Sequence, residues 1–308
     1  MKLASSLTAL MLLAAVTPAG AQRSTAPAPT ASTTLDRVRM TGQLKLGYSP
    51  DARPISFDDS GKPAGYSVDL CQVIADRLKA ERGHGTLTVQ WVPVEAADRF
   101  TAVQQGRIDL LCGADTQTLE RRAQVSFSIP IFPGGIGAVL RSDASKVLKD
   151  ALNGQKPTSP PNWRGTASQL LQVKRFAVVP GTTTEAWAAS RLAAFQVNSK
   201  VTTVEGYDAG INSILERRSD VFFGERAILM DAVRRNPSAA KLLVHDRLFT
   251  TELLALALAR GDEEFRLFVD RTLSSLYAAG TIYATYTKWF GTPSEGVRNF
   301  YSWVTLPN

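Results

Sequence analysis

Hydrophobic and polar positions repeat along this chain in two similar series of strand-like and helix-like segments. In the first series, residues 43–48, 86–92 and 108–111 carry strand patterns, while 67–78 and 98–105 carry helix patterns. Strands that alternate with helices are typical of a parallel sheet with right-handed crossover connections. The first series therefore predicts one α/β lobe.

The second series begins after residues 149–167, which are rich in proline and polar residues and which we interpret as a surface loop. The segments that follow alternate again, with strands predicted at 176–179, 201–204, 221–223 and 242–244, and helices at 182–195, 209–217 and 226–234. The first of these helices opens with Thr182-Thr183-Thr184-Glu185, which fits a capping box. A second α/β lobe is expected here.

A strongly apolar segment at 252–258 follows the second series. Such a strand must enter an existing sheet, and we place it in the first lobe, followed by helices at 263–278 and 282–289. The second lobe is then an insertion, joined to the first lobe by two crossing strands near Val139 and near His245.

These patterns divide the chain into six segments. They are a signal peptide at 1–21, a flexible leader at 22–35, the first part of lobe 1 at 36–140, lobe 2 at 141–246, the second part of lobe 1 at 247–295 and a C-terminal tail at 296–308. The signal peptide is inferred from Lys2, an apolar run at 7–16 and Ala19-Gly20-Ala21, so we expect an exported protein. No later segment approaches the roughly 20 uninterrupted apolar residues of a membrane helix.

The chain has two cysteines, Cys71 and Cys112. Export places them in an oxidising compartment, where pairing is expected. A bridge between them would close a loop of about 40 residues and add on the order of 3 to 4 kcal/mol through chain entropy. The alternative is two buried free thiols.

Charge and histidine content argue against several classes of function. The net charge is +7, but no run of basic residues is interleaved with aromatic residues, so no nucleic-acid partner is predicted. The two histidines, His84 and His245, lie in no recognisable catalytic triad or metal motif. We expect no metal, no cofactor and no catalytic residue.

A more informative stretch runs from Cys112 to Arg121, where a predicted strand leads through hydroxyl residues into a helix start. Thr118 suits the N-cap position and Glu120 suits the first turn. A helix N-terminus presents unpaired N–H groups, and an arginine on its first turn adds donors that fit a carboxylate in two bonds. Arg121 is therefore a candidate carboxylate ligand, or it pairs with a surface acid.

Several short motifs along the chain form a recognisable set. They are Leu46-Gly47-Tyr48, Gly65-Tyr66-Ser67-Val68-Asp69-Leu70, Gly106-Arg107-Ile108-Asp109-Leu110, Thr118-Leu119-Glu120-Arg121, Gly181-Thr182-Thr183 and Lys288-Trp289-Phe290-Gly291. In this order they resemble the bacterial extracellular solute-binding proteins, family 3, the periplasmic polar amino-acid-binding components of ABC transporters. The resemblance implies a type II periplasmic-binding fold, with two α/β lobes joined by two crossing hinge strands. It also implies a monomeric periplasmic protein that delivers an amino acid to a membrane permease.

The resemblance further implies a set of ligand contacts. Arg121 would hold the α-carboxylate with help from Thr116 and Thr183, while the Ala114 carbonyl and Glu225 would hold the α-ammonium. The family usually has an aspartate at the position of Glu225, which is one methylene longer. Glu225 would therefore either contact a slightly displaced ligand or cap the next helix instead.

Departures from the family pattern bear on the ligand's side chain. Ala52 stands where an aromatic residue often covers the ligand, which argues against a large apolar side chain. Arg99 matches an arginine of glutamate and aspartate binders, and Arg53 would replace a second arginine whose position is Ser49 here. Tyr207 lies where related proteins make a polar contact from lobe 2. The resemblance thus favours a polar, acidic amino acid.

Two alternatives remain open from the sequence. Arg99 would have no ligand role if it formed a helix-surface ion pair with Asp98 or Glu95, which would be worth little. Glu225 would be an acid catalyst if the chain resembled the cyclohexadienyl dehydratases, which use the same scaffold, although no partner acid or base is evident.

Overall fold

The computed structural model describes residues 33–81, 87–154, 171–199 and 201–307. The predicted signal peptide, nearly all of the predicted leader and residues 155–167 of the predicted loop lie outside these ranges. Among the described residues, no helix is both long enough and apolar enough to cross a membrane.

Short strands and helices alternate along the described chain. The strands are β1 (Gln43–Tyr48), β2 (Asp51–Ala52), β3 (Ser56–Asp58), β4 (Pro63–Ala64), β5 (Thr88–Pro93), β6 (Leu110–Cys112), β7 (Ser126–Phe127), β8 (Phe132–Gly134), β9 (Ile136–Arg141), β10 (Phe176–Val178), β11 (Val201–Thr203), β12 (Val221–Glu225), β13 (Leu242–Val244), β14 (Glu252–Leu254) and β15 (Ala257–Leu258). The helices are α1 (Thr34–Thr41), α2 (Tyr66–Ala80), α3 (Arg99–Gln104), α4 (Leu119–Arg122), α5 (Lys146–Leu152), α6 (Thr183–Ala194), α7 (Tyr207–Leu215), α8 (Arg226–Arg235), α9 (Glu263–Ala278), α10 (Ile282–Phe290) and α11 (Glu295–Val304).

The first sheet has the strand order β5-β1-β6-β15-β7. Strand β1 pairs in parallel with β5 and β6, as expected for strands joined by the helices α2 and α3. Strand β15 returns from the far end of the chain and pairs antiparallel with β6 and β7. The apolar residues of α2 face this sheet, because Leu70, Ile74 and Leu78 are fully buried.

The second sheet has the strand order β11-β10-β12-β9-β13. Strand β10 pairs in parallel with β11 and β12, while β9 pairs antiparallel with β12 and β13. Its core includes Phe176 and Phe223, whose rings stack with centroids 6.0 Å apart. The chain thus forms two α/β lobes, as the sequence predicts.

Two connections cross between the lobes, and they pair with each other. Strand β8 leads from lobe 1 into β9, and strand β14 leads back to β15, with β8 and β14 antiparallel to one another. The crossings therefore lie at 132–136 and 245–256, whereas Val139 is already inside the second sheet in β9. The predicted strand 252–258 is in fact two short strands, because its first half pairs with β8 and its second half enters the first sheet.

A disulfide joins Cys71 of α2 to Cys112 at the end of β6, as predicted from the expected export. Both residues are fully buried in the lobe 1 core. The bridge fixes the end of β6, from which the chain continues directly into the segment that carries Arg121.

Two local predictions differ from the structure. Residues 149–152, assigned to a loop, belong to α5, which Ser145 caps by accepting a hydrogen bond from the Leu148 amide. The expected capping box at Thr182 does not form, because its hydroxyl donates to the Val179 carbonyl while Glu185 accepts from the Gly181 amide at 2.8 Å. Gly181 has a positive φ of 70°, and its turn brings that amide within reach of Glu185.

The predicted C-terminal tail contains the helix α11, which packs onto lobe 1. Tyr301 of this helix is fully buried, and its hydroxyl lies 2.6 Å from that of Tyr66 in α2. The apolar positions Val297, Phe300, Tyr301 and Val304 recur at helical spacing, so the sequence carried the signal for this helix.

Candidate ligand-binding site

A cavity, which we call the central cavity, lies between the two lobes. Lobe 1 contributes Arg99, Ala114, Thr116 and Arg121, lobe 2 contributes Thr183, Tyr207 and Glu225, and the crossing segments contribute Ile136 and Glu252. All of the predicted ligand-contact residues except Arg53 therefore meet at one place, although they come from sequence positions as distant as 99 and 225.

Arg121 is positioned by the helix start that the sequence predicts. The Thr118 hydroxyl caps α4 by accepting a hydrogen bond from the Arg121 amide at 3.1 Å. The guanidinium donates to the Thr116 carbonyl at 2.9 Å and lies 5.1 Å from the centre of the Phe100 ring. Burial lowers the pKa of Arg121, but an arginine stays protonated at neutral pH. Among the ion pairs of the described residues none involves Arg121, which lines the central cavity, although the carboxylates of Asp115 and Glu252 are near enough to oppose the lowering of its pKa.

Arg99 is buried rather than exposed on its helix. Its Nε donates to Asp115 at 2.6 Å, and its two terminal nitrogens donate to the carbonyls of Ala96 and Gly181. These bonds use three of the five N–H groups of a guanidinium. The last of them crosses from lobe 1 to lobe 2, because Gly181 lies directly before α6.

The predicted alternative for Arg99, a surface ion pair, is wrong. Asp98 pairs with Arg107 instead, and the partner of Arg99 is Asp115, which is 3% exposed. An ion pair this deeply buried orients the guanidinium strongly, because leaving either charge alone would be costly.

Arg53 does not line the central cavity, although the sequence predicted that it would contact the ligand's side chain. It pairs with Asp231 of lobe 2 at 3.3 Å and lies 4.5 Å from the centre of the Phe57 ring. Its guanidinium is therefore committed to a contact between the lobes, outside the central cavity.

Glu225 has the helix-capping role that the sequence left as one alternative, and its ligand role stays a prediction. It caps α8 by accepting from the Ala227 amide at 3.3 Å, it accepts from the Gly135 amide at 2.8 Å, and it also lines the central cavity. Burial raises the pKa of Glu225 to about 7, and the nearby carboxylate of Glu252 adds to this shift, while the backbone amides oppose it.

Glu252 is a site residue that the sequence analysis missed. It starts β14, and its carboxylate accepts hydrogen bonds from the hydroxyls of Thr116 at 2.6 Å, Thr183 at 2.9 Å and Thr250 at 2.9 Å. Because Thr116 belongs to lobe 1 and Thr183 to lobe 2, one carboxylate joins both lobes at the hinge. The only sequence signal was a lone acid at the start of an apolar strand.

A second cavity, the side cavity, adjoins the first. The two cavities share Arg99, Ala114, Thr182 and Tyr207, and the side cavity is further lined by Ser49, Asp51, Ala52 and Asp115. The described residues hold no group of three or more His, Cys, Asp or Glu side chains that could bind a metal ion.

Replacing Glu225 with glutamine is expected to change the pH dependence of stability. The pKa of Glu225 rises from its ordinary value of 4.5 to about 7 in the folded protein, so the folded state holds this proton more tightly than the unfolded state does. The wild type should therefore lose stability as pH rises from about 4.5 to 7, by on the order of 2 to 3 kcal/mol. Urea unfolding at pH 4.5 and pH 8 should show that Glu225→Gln removes this loss.

The exposed Glu216, which pairs only with Arg218 on the surface, offers a matched control. Glu216→Gln should follow the wild type at both pH values. Equal pH dependence in Glu225→Gln and the wild type would contradict the assignment of the raised pKa to Glu225.

A protein of two α/β lobes, with paired crossing strands and a charged cavity between the lobes, has the architecture of a solute-binding protein. The chain belongs to the bacterial extracellular solute-binding proteins, family 3, whose family model matches residues 44–292.

Individual proteins resemble the chain over most of its length. It is 26% identical to the L-glutamate/L-aspartate-binding protein of Pseudomonas aeruginosa, over 84% of this chain and 80% of that protein. It is 24% identical to the glutamate/aspartate import solute-binding protein of Escherichia coli strain K12, over 92% of this chain and 88% of that protein.

Among solved structures, the chain is similar to the ancestral amino acid-binding protein AncCDT-1, described as a precursor of cyclohexadienyl dehydratase. The TM-score is 0.67 and the identity 26%, over 84% of this chain and 100% of the other. The type II periplasmic-binding fold predicted from the sequence motifs is thereby confirmed.

Proposed function

We propose that this protein captures one α-amino acid in the central cavity and delivers it to the membrane permease of an ABC transporter. The observation that carries the proposal is that Arg121 and Glu225 line the same cavity from opposite lobes. A zwitterion needs a cation at one end and an acid at the other, because each of its charges is costly to desolvate alone.

Ligand binding would favour closure of the two lobes. The carboxylate would receive the Arg121 guanidinium and the main-chain N–H of Thr183, while Glu225 would approach the ammonium from lobe 2. The hydroxyls of Thr116 and Thr183 have one hydrogen each, which they already donate to Glu252. Neither lobe offers the complete set of partners, so the ligand favours the closed arrangement over the open one.

An acidic amino acid, glutamate or aspartate, is the ligand class we propose. Relatives that are 26% and 24% identical are named for binding these two amino acids. Arg99 lines both cavities, and its contacts with the described residues leave two of its five N–H groups for a second carboxylate. Asp115 partly neutralises Arg99, so Arg99 could also accommodate an uncharged side-chain amide. Comparing glutamate and aspartate with glutamine and asparagine therefore decides between the two ligand classes.

The cellular setting follows from the same proposal. Export through the predicted signal peptide, cleaved after Ala21, would place a monomeric receptor in the periplasm. There it would meet the permease, and neither a cofactor nor nucleic acid would take part.

Thermal unfolding with each of twenty amino acids tests the proposal. A ligand at one hundred times its dissociation constant should raise the free energy of unfolding by about 2.7 kcal/mol. We expect glutamate or aspartate to give the largest rise in midpoint, above glutamine and asparagine. If glutamine or asparagine gave the larger rise in midpoint, the proposed acidic ligand class would be wrong, but the proposed receptor function would not be contradicted. If no amino acid raised the midpoint, the receptor function would be contradicted as well.

An enzyme of the cyclohexadienyl dehydratase type is the second candidate. It is favoured by the likeness to AncCDT-1 and by Glu225, whose pKa of about 7 suits a proton donor. Incubation with prephenate or arogenate distinguishes the two functions, because the receptor should leave both compounds intact whereas the enzyme would consume one of them.

A further inference from the structure

We propose that Glu252 is a third contact for the ligand's ammonium group, acting beside Glu225 and the Ala114 carbonyl. This inference rests on the proposed function and makes it more specific. It places the selectivity for an amine on a residue of the crossing strand rather than on lobe 2 alone.

The hydroxyl groups around Glu252 fix the direction of its carboxylate. Oε2 accepts from Thr116 and Thr183, while Oε1 accepts from Thr250. A carboxylate oxygen has about two lone-pair directions, so Oε1 keeps one of them. Because Glu252 lines the central cavity, this remaining direction is available to a ligand.

Glu225 and Ala114 complete a set of three acceptors. The two oxygens of Glu225 accept one backbone amide each, from Gly135 and Ala227, which leaves further acceptor capacity on both. Ala114 lines the same cavity. A primary ammonium has three N–H donors, and it therefore matches one bond to each of Ala114, Glu225 and Glu252.

The electrostatics of the cavity favour a cation between the two acids. Two carboxylates in one partly dry site repel each other, and Glu252 contributes to the raised pKa of Glu225. An ammonium between them relieves this repulsion, so binding near pH 7 should release a proton from Glu225.

Other charged or titratable groups near Glu225 are already committed. Arg99 pairs with Asp115, the Arg226 guanidinium donates to the His245 carbonyl, and the buried Tyr207 has a pKa raised far above 10. Asp231, farther along α8, is held by arginines including Arg53. Arg121, which lines the central cavity and forms no ion pair among the described residues, would receive the ligand's carboxylate.

Two other roles for Glu252 would leave the ligand's amine untouched. It could act as an internal anion that competes with the ligand's carboxylate for the hydroxyls of Thr116 and Thr183. It could also act only by holding the lobes together, since those two hydroxyls belong to different lobes. The three roles differ in how they treat a ligand that lacks the amine.

The experiment compares L-glutamate with glutarate, its analogue without the amine, by titration calorimetry on wild type and Glu252→Gln. If another amino acid gives the largest thermal shift, that amino acid and its des-amino analogue take their places. We expect Glu252→Gln to lower the affinity for L-glutamate by about 10- to 100-fold, which is the range of one charge-assisted hydrogen bond. The affinity for glutarate should stay the same or increase. Glu216→Gln should change neither ligand.

Each other outcome identifies a different role and overturns the inference. If the substitution weakened the binding of both ligands equally, Glu252 would act only by holding the lobes together. If it tightened the binding of both, Glu252 would be a competing anion. If it changed neither affinity, Glu252 would have no role in binding. If Glu252→Gln fails to fold, Glu252→Asp, which keeps the charge but shortens the side chain by one methylene, is titrated with the same two ligands. Weaker binding of L-glutamate alone supports the inference, and equal effects on both ligands overturn it. Failure of the wild type to bind any amino acid would instead remove the proposed function itself.

Discussion

Replacing Arg121 with alanine is expected to weaken amino-acid binding by several hundred-fold or more. The guanidinium lines the cavity between the lobes and has no acidic partner among the described residues. Removing one member of a buried charge pair costs about 3 to 5 kcal/mol, since the other charge is left desolvated and alone. Titration calorimetry with the amino acid that gives the largest thermal shift measures this loss directly.

Arg122, the exposed neighbour of Arg121 on the same short helix, provides the matched control. Arg122→Ala makes the same chemical change without touching the cavity, so its affinity should remain within about twofold of the wild type. If Arg121→Ala and Arg122→Ala bound equally well, the carboxylate site would have to lie elsewhere.

Replacing Cys71 and Cys112 together with alanine is expected to lower the free energy of unfolding by about 4 kcal/mol. The bridge closes a loop with a sequence separation of 41 residues, and its removal frees that loop in the unfolded chain. Urea unfolding of the double variant, and of the wild type with and without a reducing agent, measures the change.

The reducing agent itself supplies the control for the disulfide. It should destabilise the wild type by a similar amount and leave the double variant unchanged. An oxidised wild type no more stable than the double variant would contradict the expected contribution of the bridge.

The sequence predicted some elements with their correct limits because their local signals agree. The helix α9 begins and ends as expected at Glu263 and Ala278, since Asp262 caps it and its buried residues recur at helical spacing. The strand β1 also matches, because its buried residues Leu44 and Leu46 alternate with partly exposed ones.

Predictions failed where tertiary contacts divided or extended a local pattern. The apolar segment 252–258 has no break in its composition, yet Ala255 and Leu256 separate a strand that pairs between the lobes from one that enters the first sheet. Pairing with a distant strand decides such a break, and the local pattern does not contain it.

The candidate site was predictable to the extent that it is built from motifs. Arg121 and Thr118 lie within one helix start, whose capping chemistry can be derived from the sequence. Glu252 could not be found in this way, because it meets Thr116 and Thr183 only after both lobes fold around the hinge. The Arg99–Asp115 pair joins α3 to the loop after β6, a contact that spacing alone does not reveal.

The carbonyl of Gly181 links the two lobes and therefore bears on how fast a bound ligand dissociates. Arg99 and Arg121 both donate to this one oxygen on the opposite lobe, at 2.9 and 3.5 Å. The lobes cannot part until both bonds break, and most differences in affinity among related complexes arise from such dissociation steps. The residence time of a captured molecule should thus depend on this one peptide group, together with the other contacts between the lobes that Arg53 and Glu252 make.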